Sequence, residues 1–482
     1  MAEYDAVKKK VEAHGQGHLL SFYKQLGPGQ QAALLEQLAS IDFDRLDQFL
    51  DQHAGATPPT LPTGDIQPPE IMPAKPEDRE AKDLYRQAAK KGKELIAEGK
   101  VAPFVVAGGQ GTRLGYEGPK GCMEATPVAH KPLFQLFAEQ ILATSERSGT
   151  SLPWYVMTSE SNDVATRAYF RQHDFFGLAE ENVFFLTQSS MPTIDFDRKL
   201  LLNEKGLVAT SPNGHGGSLL ALRQSGALED MARRGAEHIS YFQVDNPLVR
   251  CLDPLFIGLH HLKNAEMSLK VLPKRGPMER LGNVCVVNGK LLIIEYSDMP
   301  EELATQTTED GHLRFSAGSI AIHILSRTFV ERLTSGDQCK LPYHRAEKRV
   351  PFLDDTGTIV NPDSPNAVKL EMFVFDALQL AEKTVILETD RREEFSPIKN
   401  ADGDDSLSTS LHDQLRRAAG WLESAGVAVP RDADGQVAAA IEISPLYADS
   451  PEELAKKVDK DLRISAGQSV YLGSRGQTGG LR

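Results

Sequence analysis

A glycine-rich segment followed by two cations carries the clearest chemistry in this sequence. The glycines stand at the end of the apolar run VAPFVVAGG (101–109), and the two cations, Arg113 and Lys120, follow this run. The run ends in Val106, Ala107, Gly108 and Gly109. Glycines directly after a buried strand let backbone N–H groups approach a phosphate, because no Cβ intervenes. The pattern predicts a triphosphate site in which Arg113 and Lys120 neutralise the two phosphates that leave as pyrophosphate.

The loop differs from two common phosphate-binding motifs. A Walker A loop requires Lys and then Ser or Thr after its last glycine, and this segment lacks that pair. A dinucleotide fingerprint requires a third glycine where Leu114 stands. The alternative interpretation is a tight glycine turn carrying two solvated cations.

Asp245 ends a second apolar run, HISYFQVD (238–245). A carboxylate at the carboxyl end of a parallel strand faces the ligand crevice of an open α/β sheet. Mg²⁺ commonly binds through one or two carboxylates together with substrate phosphates. Asp245 is therefore the predicted Mg²⁺ ligand, and the alternative role for it is an Asx-type helix cap.

The elements that must position these residues alternate along the chain. Strand-like runs such as WYVMTS and NVFFLTQ are separated by helix-like runs such as PLFQLFAEQILATSER. Alternation of this kind predicts βαβ units, and so an α/β fold with a Rossmann-like, mixed and mostly parallel sheet flanked by helices. From Gly282 onward the pattern changes to a hairpin, with Asn288-Gly289 as its turn.

A chain of 482 residues is long enough for about three domains. Residues 1–97 are predicted as a helical region that contains a Pro-rich strap (57–76). Residues 98–402 are predicted as the catalytic domain and residues 403–482 as a small α+β domain. The helical part carries apolar residues at roughly helical spacing. They are Leu34, Leu35, Leu38, Leu46, Phe49 and Leu50.

Composition limits the possible partners. The formal net charge of −14 disfavours a nucleic-acid partner, because an acidic protein gains nothing from counterion release. Four cysteines stand far apart without a CxxC pair, which is typical of a reducing compartment. No apolar stretch reaches the length of about 18 residues that spans a bilayer. We expect a soluble, cytoplasmic protein that binds small molecules and neither nucleic acid nor membrane.

Several motifs occur in an order that resembles the UDP-sugar pyrophosphorylases, and most closely the UDP-N-acetylglucosamine pyrophosphorylases of eukaryotic type. The strings are GGQGTRLG with PKG, PNGHGG, FQVDNPLV, VVNGKLLIIEYSD, PNAVKLEMFVFD and EFSPIKNADG. The resemblance implies the nucleotide-diphospho-sugar transferase fold. It also implies that UTP and a sugar 1-phosphate give a UDP-sugar and pyrophosphate.

The resemblance implies roles for several further residues. On the nucleotide side, Gln188 would lie near the uracil and Lys369 would face the UTP phosphates. The glycine-dense turn PNGHGG (212–217), which contains Gly214, suits a platform for base and ribose. The VDN motif with Asp245 would serve the metal and the nucleotide.

On the sugar side, Glu295 and Tyr296 resemble the pair that binds the sugar hydroxyls, and Lys399 would face the sugar phosphate. This chain departs from the family at His215, where the family usually has Asn. It departs again at Ser316, because FSAGS (315–319) replaces FNAGN. Loss of a hydrogen-bonding amide can change specificity by orders of magnitude. Glucose or galactose 1-phosphate therefore stays open as the substrate.

The mechanism implied is direct in-line attack on the α-phosphorus of UTP, without a covalent enzyme intermediate. Transfer of this kind needs mainly positioning and charge neutralisation. Arg113, Lys120 and Lys399 are the predicted catalytic cations. The alternative from another class is a non-catalytic UDP-sugar sensor, and a scaffold that uses the Pro-rich segment has less support.

Overall fold

A computed structural model describes residues 3–44, 46, 47, 51, 64–337 and 339–473. The chain forms two units. The minor unit comprises Met1–Thr63, Gln188–Gly217 and Leu341–Asp376, and the major unit comprises Gly64–Thr187, Ser218–Lys340 and Ala377–Arg482. The domain boundaries predicted at residues 97 and 402 stay predictions.

The α-helices whose two ends lie in the described residues are α1 (Tyr4–Ala13), α2 (Pro28–Ser40), α3 (Arg79–Ala97), α4 (Leu133–Ser148), α5 (Asp163–Gln172), α6 (Gly217–Gln224), α7 (Ala227–Arg234), α8 (Pro254–Leu262), α9 (Glu301–Ala304), α10 (Arg327–Leu333), α11 (Arg391–Glu394), α12 (Leu407–Ser424) and α13 (Pro451–Lys457). The strands are β1 (Ile66–Gln67), β2 (Val101–Val106), β3 (Trp154–Ser159), β4 (Val183–Gln188), β5 (Ser190–Pro192), β6 (Ile194–Asp195), β7 (Leu202–Glu204), β8 (Leu207–Val208), β9 (Thr210–Pro212), β10 (His238–Gln243), β11 (Met267–Pro273), β12 (Gly282–Val287), β13 (Lys290–Ile294), β14 (Ala317–Ser326), β15 (Tyr343–Lys348), β16 (Phe352–Leu353), β17 (Ile359–Val360), β18 (Ala367–Met372), β19 (Thr384–Glu388), β20 (Ala440–Ile443) and β21 (Ser469–Leu472). Among the described residues, no helix is both long enough and apolar enough to cross a membrane.

A large mixed sheet forms the centre of the major unit, in the order β1-β12-β14-β10-β2-β3-β4. Strands β10, β2 and β3 pair in parallel, as the alternating pattern predicts. The long strand β14 pairs antiparallel with β10, β11 and β12, so the antiparallel part is larger than the sequence indicates. The α/β class and the mixed sheet flanked by helices are confirmed.

Two helices of the major unit touch backbone to backbone. Helix α3 begins after Asp78, whose side chain accepts a hydrogen bond from the Ala81 N–H. A Cβ on Gly92 would overlap the carbonyl oxygen of Pro254, and a Cβ on Gly258 would overlap that of Ala88. Glycine at these two helical positions, despite its poor helix propensity, permits this close approach of α3 and α8.

The minor unit is built on a three-stranded antiparallel sheet, β15-β18-β6. Its core packs the N-terminal helices against strand residues such as Ile194 and Val368. Burial of Leu34, Leu35, Leu38 and Leu46 agrees with the predicted helical spacing. Phe49 and Leu50 lie outside the described residues.

The part of the Pro-rich strap from Gly64 onward is extended and joins the large sheet. Its strand β1 pairs with β12, and Met72 bridges to Leu387. Residues 57–63 of the strap lie outside the described residues. At the other end of the chain, the Glu442 carboxylate accepts hydrogen bonds from the N–H groups of Val128 and Ala129. The strap and the C-terminal segment therefore both pack within the major unit.

A histidine cluster lies where β10 begins. Nε2 of His238 is 3.1 Å from Nδ1 of His261, and the His260 ring contacts the hydroxyls of Ser268 and Ser326. Burial, together with His261, lowers the pKa of His238 from 6.5 to about 4. Burial also lowers the pKa of His260 well below its usual range. Both rings are neutral in the folded protein at neutral pH.

We expect the free energy of unfolding to fall as the pH drops from 6.5 towards 4, because unfolded His238 binds a proton that the folded ring excludes. Between about pH 8 and about pH 5, the free energy of unfolding should fall by about 2 kcal/mol less in His238→Gln than in wild type. Urea unfolding of both proteins at the two pH values measures this difference. An unchanged pH dependence in the variant would contradict the assignment.

Candidate active site

The register of two central strands brings the glycine-rich loop and Asp245 to one edge of the large sheet. Strands β2 and β10 run in parallel, with Val101 opposite His238 and Val106 opposite Gln243. The Val244 N–H still donates to the Val106 carbonyl, at 3.1 Å. The residues that follow both strands therefore leave the sheet side by side, at the edge where open α/β sheets bind ligands.

Two side chains from the β3–α5 turn hold the backbone of the glycine-rich loop. The Asn162 amide donates to the carbonyls of Ala107 and Gly109 at 3.0 and 3.3 Å, and the Ser159 hydroxyl donates to that of Gly108 at 2.7 Å. Three successive carbonyls are thus engaged. The N–H groups of Gly108 and Gly109 have no acceptor within the described part of the chain. Such N–H groups can donate to a phosphate.

Lys120 lies close to the segment that carries Lys399. Its Nζ donates to the Ile398 carbonyl at 3.3 Å, and the Ile398 N–H donates to the Asp245 carbonyl at 2.8 Å. Arg113 is exposed in the short turn Thr112–Leu114 and has no ion-pair partner among the described residues. Lys120, Asp245 and Lys399, which are far apart in sequence, therefore meet at one edge of the sheet.

A small cavity, about 50 Å³ in volume, contains both a carboxylate and an ammonium group. Its lining includes Asp245, Ser319, Phe395 and Lys399. Nζ of Lys399 lies 5.8 Å from the centre of the Phe395 ring. The Asp245 carboxylate forms no hydrogen bond or ion pair with any described residue, so its oxygens are available to a cation.

The described residues contain no group of three or more His, Cys, Asp or Glu side chains that could hold a metal ion. A divalent cation at this edge would therefore take one protein carboxylate, that of Asp245, and phosphate oxygens. This donor set, all oxygen with a single carboxylate, fits the way Mg²⁺ binds beside substrate phosphates.

The hairpin and β14 place the predicted sugar residues on two different faces. Residues directly opposite in a ladder point to the same face, and Gly282 is opposite Ser319. A Cβ on Gly282 would lie 3.6 Å from a carboxylate oxygen of Glu295. Glu295 and Ser319 thus share a face, and Ser319 lines the cavity. Ser316, three residues earlier, accepts the Lys274 N–H through its carbonyl and falls on the opposite face.

Tyr296, next to Glu295, is 39% exposed. Sequence reasoning missed Ser319, although it is the second serine of the FSAGS string, because only the register decides which of the two serines faces the cavity. It also missed Ser159 and Asn162. The sole signal for them was a pair of polar residues at the end of a buried strand. Such a pair also occurs at ordinary helix caps, so it does not by itself indicate a functional site.

The predicted residues of the minor unit form a group of their own. The Gln188 amide donates to the Asn213 side chain at 2.9 Å and also to the Gly214 carbonyl. Gly214 has a φ of 76°, and a Cβ there would overlap the Met372 carbonyl oxygen. Only glycine suits that position, because its backbone conformation and the close approach both exclude a side chain.

His215 follows Gly214 and is held by aromatic neighbours. Its ring lies 5.3 and 5.5 Å from the rings of Phe373 and Phe375, and its Nδ1 accepts the Val374 N–H at 3.2 Å. Burial lowers the pKa of His215 to about 4, so the ring is neutral at physiological pH. Lys369 lies half-buried on β18, opposite Ala346.

Comparison with known families identifies the chain. The model of the family described as UTP–glucose-1-phosphate uridylyltransferase matches residues 47–422. The chain belongs to this family. The match covers the glycine-rich loop, Asp245 and Lys399, and it confirms the predicted family and the predicted nucleotidyltransferase class.

Curated relatives of the family match over most of the chain. The human UDP-N-acetylhexosamine pyrophosphorylase-like protein 1 is 38% identical over 480 residues, 94% of each chain. The Saccharomyces cerevisiae UDP-N-acetylglucosamine pyrophosphorylase is 38% identical over 347 residues, 70% of this chain and 73% of the yeast protein.

Solved structures agree with the fold. The putative UDP-N-acetylglucosamine pyrophosphorylase from Entamoeba histolytica has a TM-score of 0.75 at 31% identity, over 85% of this chain and all of that chain. A UDP-glucose pyrophosphorylase from Leishmania major, at 16% identity and a TM-score of 0.61, covers 89% of this chain and 87% of that chain, and shows the fold alone.

Gly111→Ala should destabilise the uridylyltransferase loop, because the new Cβ would lie 2.7–2.9 Å from the side chain and carbonyl of Tyr116. We expect a loss of about 1–3 kcal/mol in the free energy of unfolding without ligand. Gly109→Ala is the matched control, since nothing lies within 4 Å of a Cβ there. It should change stability by less than about 0.5 kcal/mol. Equal losses in urea unfolding would contradict the loop geometry.

Proposed function

We propose that this chain is a uridylyltransferase that joins UTP and N-acetylglucosamine 1-phosphate to give UDP-N-acetylglucosamine and pyrophosphate. The observation that carries the proposal is the shared cavity of Asp245 and Lys399 beside the glycine-rich loop. The names of the Saccharomyces cerevisiae and Entamoeba histolytica relatives support the N-acetylated sugar.

In this proposal the glycine-rich loop holds the phosphates of UTP. The N–H groups of Gly108 and Gly109 donate to phosphate oxygens, and Val106 and Ala107 form the strand end beneath them. Arg113 and Lys120 stabilise the pyrophosphate as negative charge accumulates on it. Such charges are effective because the folded loop fixes them before the reaction begins.

The sugar 1-phosphate supplies its own nucleophile. Its phosphate oxygen is already anionic, so the step needs no general base. The Lys399 ammonium binds the sugar phosphate and directs that oxygen in line with the α-phosphorus of UTP. The bond from the α-phosphorus to the bridging oxygen of pyrophosphate then breaks, and the leaving electron pair stays on pyrophosphate.

We propose Mg²⁺ as the divalent cation of this family member, with Asp245 as its protein ligand. When bound, the ion neutralises phosphate charge and orients the two substrates. Phosphate oxygens of the substrates would supply the remaining ligands. No residue that the structure describes bonds to the Asp245 carboxylate, so none of them competes with the cation for it.

For the sugar, we propose that Glu295 and Tyr296 contact its hydroxyls. We also propose that the sheet face shared by Glu295 and Ser319 contacts the sugar. Ser316 stays a prediction as a sugar residue. Both asparagines of the family's FNAGN string are serines here, at Ser316 and Ser319. This loss of two amides favours glucose or galactose 1-phosphate as a second candidate substrate.

For the nucleotide, we propose that Gln188, Gly214 and Lys369 contact UTP, and that His215 contributes as a neutral ring on the sugar side. We propose small-molecule substrates, without nucleic acid or membrane, as the partners of this enzyme. A cytoplasmic location stays a prediction.

The substrate test measures pyrophosphate release from UTP with N-acetylglucosamine, glucose or galactose 1-phosphate, each with Mg²⁺ and then with chelator. We expect release that the chelator abolishes, with N-acetylglucosamine 1-phosphate as the preferred substrate. Preference for glucose or galactose 1-phosphate would move the sugar assignment to the second candidate. Tight UDP-sugar binding with no release from any sugar would contradict the enzyme and favour a sensor.

Asp245→Asn should reduce Mg²⁺-dependent turnover by roughly 100-fold or more, because the amide keeps the shape but loses the charge that holds the cation. Urea unfolding should change by less than about 0.5 kcal/mol. Asp434→Asn, an exposed aspartate in a C-terminal turn, is the control and should keep wild-type turnover. Full activity of Asp245→Asn would remove Asp245 from the metal site.

A further inference from the structure

Asn246 directly follows the proposed metal ligand, yet its side chain is used inside the protein. It is 4% exposed. Its Nδ2 donates to the Glu394 carbonyl at 2.7 Å, and its Oδ1 accepts the N–H groups of Ser396 and Leu248 at 3.1 and 3.3 Å. Both amide atoms are therefore occupied by backbone groups. The side chain has little capacity left for a nucleotide or a metal ion.

These bonds connect two distant segments of the proposed active site. The Glu394 and Ser396 backbone groups belong to the segment 394–399, which ends at Lys399. The Ile398 N–H donates to the Asp245 carbonyl at 2.8 Å and adds a backbone bond to the connection. The strand end that carries Asp245 and the segment that carries Lys399 are thus joined by three hydrogen bonds, two of which need the Asn246 amide.

Other contacts fix the segment 394–399 to the remaining protein. The Ser396 hydroxyl donates to Asp413 at 2.7 Å, and the Ser396 carbonyl accepts from Ser410 at 3.0 Å. The Glu394 carboxylate accepts the buried Lys270 ammonium at 2.6 Å. These contacts stabilise the segment, but none of them connects it to Asp245. Among the described residues, the hydrogen bonds made directly between residues 245–246 and the segment 394–399 are those of the Asn246 amide and of the Ile398 N–H. Beside them, the Arg417 guanidinium bridges the Leu248 and Glu393 carbonyls at 3.2 and 3.0 Å.

We infer that Asn246 is a positioning residue that sets the separation of the Asp245 carboxylate from the Lys399 ammonium. This inference rests on the proposed function, because it assumes that these two groups act on the same pair of substrates. Misplacement of a reacting group by about 1 Å can cost about 100-fold in rate. Asn246 also lines the cavity of Asp245 and Lys399, but both atoms of its amide bond to backbone groups, so it acts through its neighbours.

Gln140 offers a matched control. Its amide also bonds to two backbone groups, donating to the Val249 carbonyl at 3.0 Å and accepting the Cys251 N–H at 3.1 Å. It thus supports the same loop a few residues beyond Asn246, but it makes no bond to the segment 394–399. Loss of the Gln140 amide removes two hydrogen bonds between a side-chain amide and the backbone, the same kind of bond that loss of the Asn246 amide removes. It leaves the bonds between residues 245–246 and the segment 394–399 in place.

The test compares Asn246→Ala, Asn246→Ser and Gln140→Ala in the full chain. A serine hydroxyl at position 246 can still accept a hydrogen bond from the Leu248 N–H and so keep the local turn. The serine side chain is too short to reach Glu394 and Ser396. For both Asn246 variants we expect kcat to fall by roughly 10- to 100-fold, with the KM for UTP within about 3-fold of wild type. Gln140→Ala should keep kcat within about 3-fold.

Hydrogen exchange supplies a readout that does not depend on activity. The N–H groups of Ser396 and Ile398 should exchange faster in the Asn246 variants than in wild type. In Gln140→Ala their exchange rates should equal those of wild type. If wild type releases no pyrophosphate, the proposed function fails, and the exchange rates still decide whether Asn246 holds this segment. Unchanged exchange at Ile398, or equal loss of kcat in Gln140→Ala, would overturn the inference.

Discussion

The parallel register of β2 and β10 is the constraint on which the site depends. Their pairing from Val101–His238 to Val106–Gln243 makes both strands end at the same level. The chain then turns outward at two adjacent points, once as the glycine-rich loop and once as the Val244–Asp245 step. A shift of one residue in this ladder would turn the side chains of one strand to the opposite face and move Asp245 relative to the loop. The loop amides proposed to bind phosphate and the proposed metal ligand therefore share one structural origin.

Behind this edge lies a buried ionic cluster that supports the segment of Lys399. Lys270 donates to Asp253 and to Glu394 at 2.6 Å. Burial alone would lower the pKa of Lys270, but the two carboxylates raise it overall. Burial would likewise raise the pKa of Asp253, whereas Lys270 and Arg250 lower it overall. Lys270 and Asp253 are therefore both charged in the folded protein. Removing one partner of such a buried pair commonly costs about 3–5 kcal/mol.

Local signals in the sequence predicted the parts of the site that follow directly from a strand. The glycines after Val106 and the carboxylate after the run 238–244 each depend on one segment and its chemistry. The residues that support them depend on contacts between distant segments. Ser159 and Asn162 reach a loop some 50 residues away, as their bonds to residues 107–109 show, and no local pattern encodes that contact. Ser319 could be distinguished from Ser316 only by the pairing of β14 with β12. The minor unit, assembled from three separate segments, was likewise not predicted.

In the proposed reaction, preorganised charges let a sugar phosphate attack UTP directly, without a covalent enzyme intermediate. The cavity of Asp245 and Lys399, as far as the described residues line it, includes no histidine or cysteine. The most direct test uses UTP made chiral at the α-phosphorus with sulfur and determines the configuration of the UDP-sugar product. A single in-line displacement predicts inversion at phosphorus. Retention would reveal two successive displacements through an enzyme-bound uridylyl group and would contradict direct attack by the sugar phosphate.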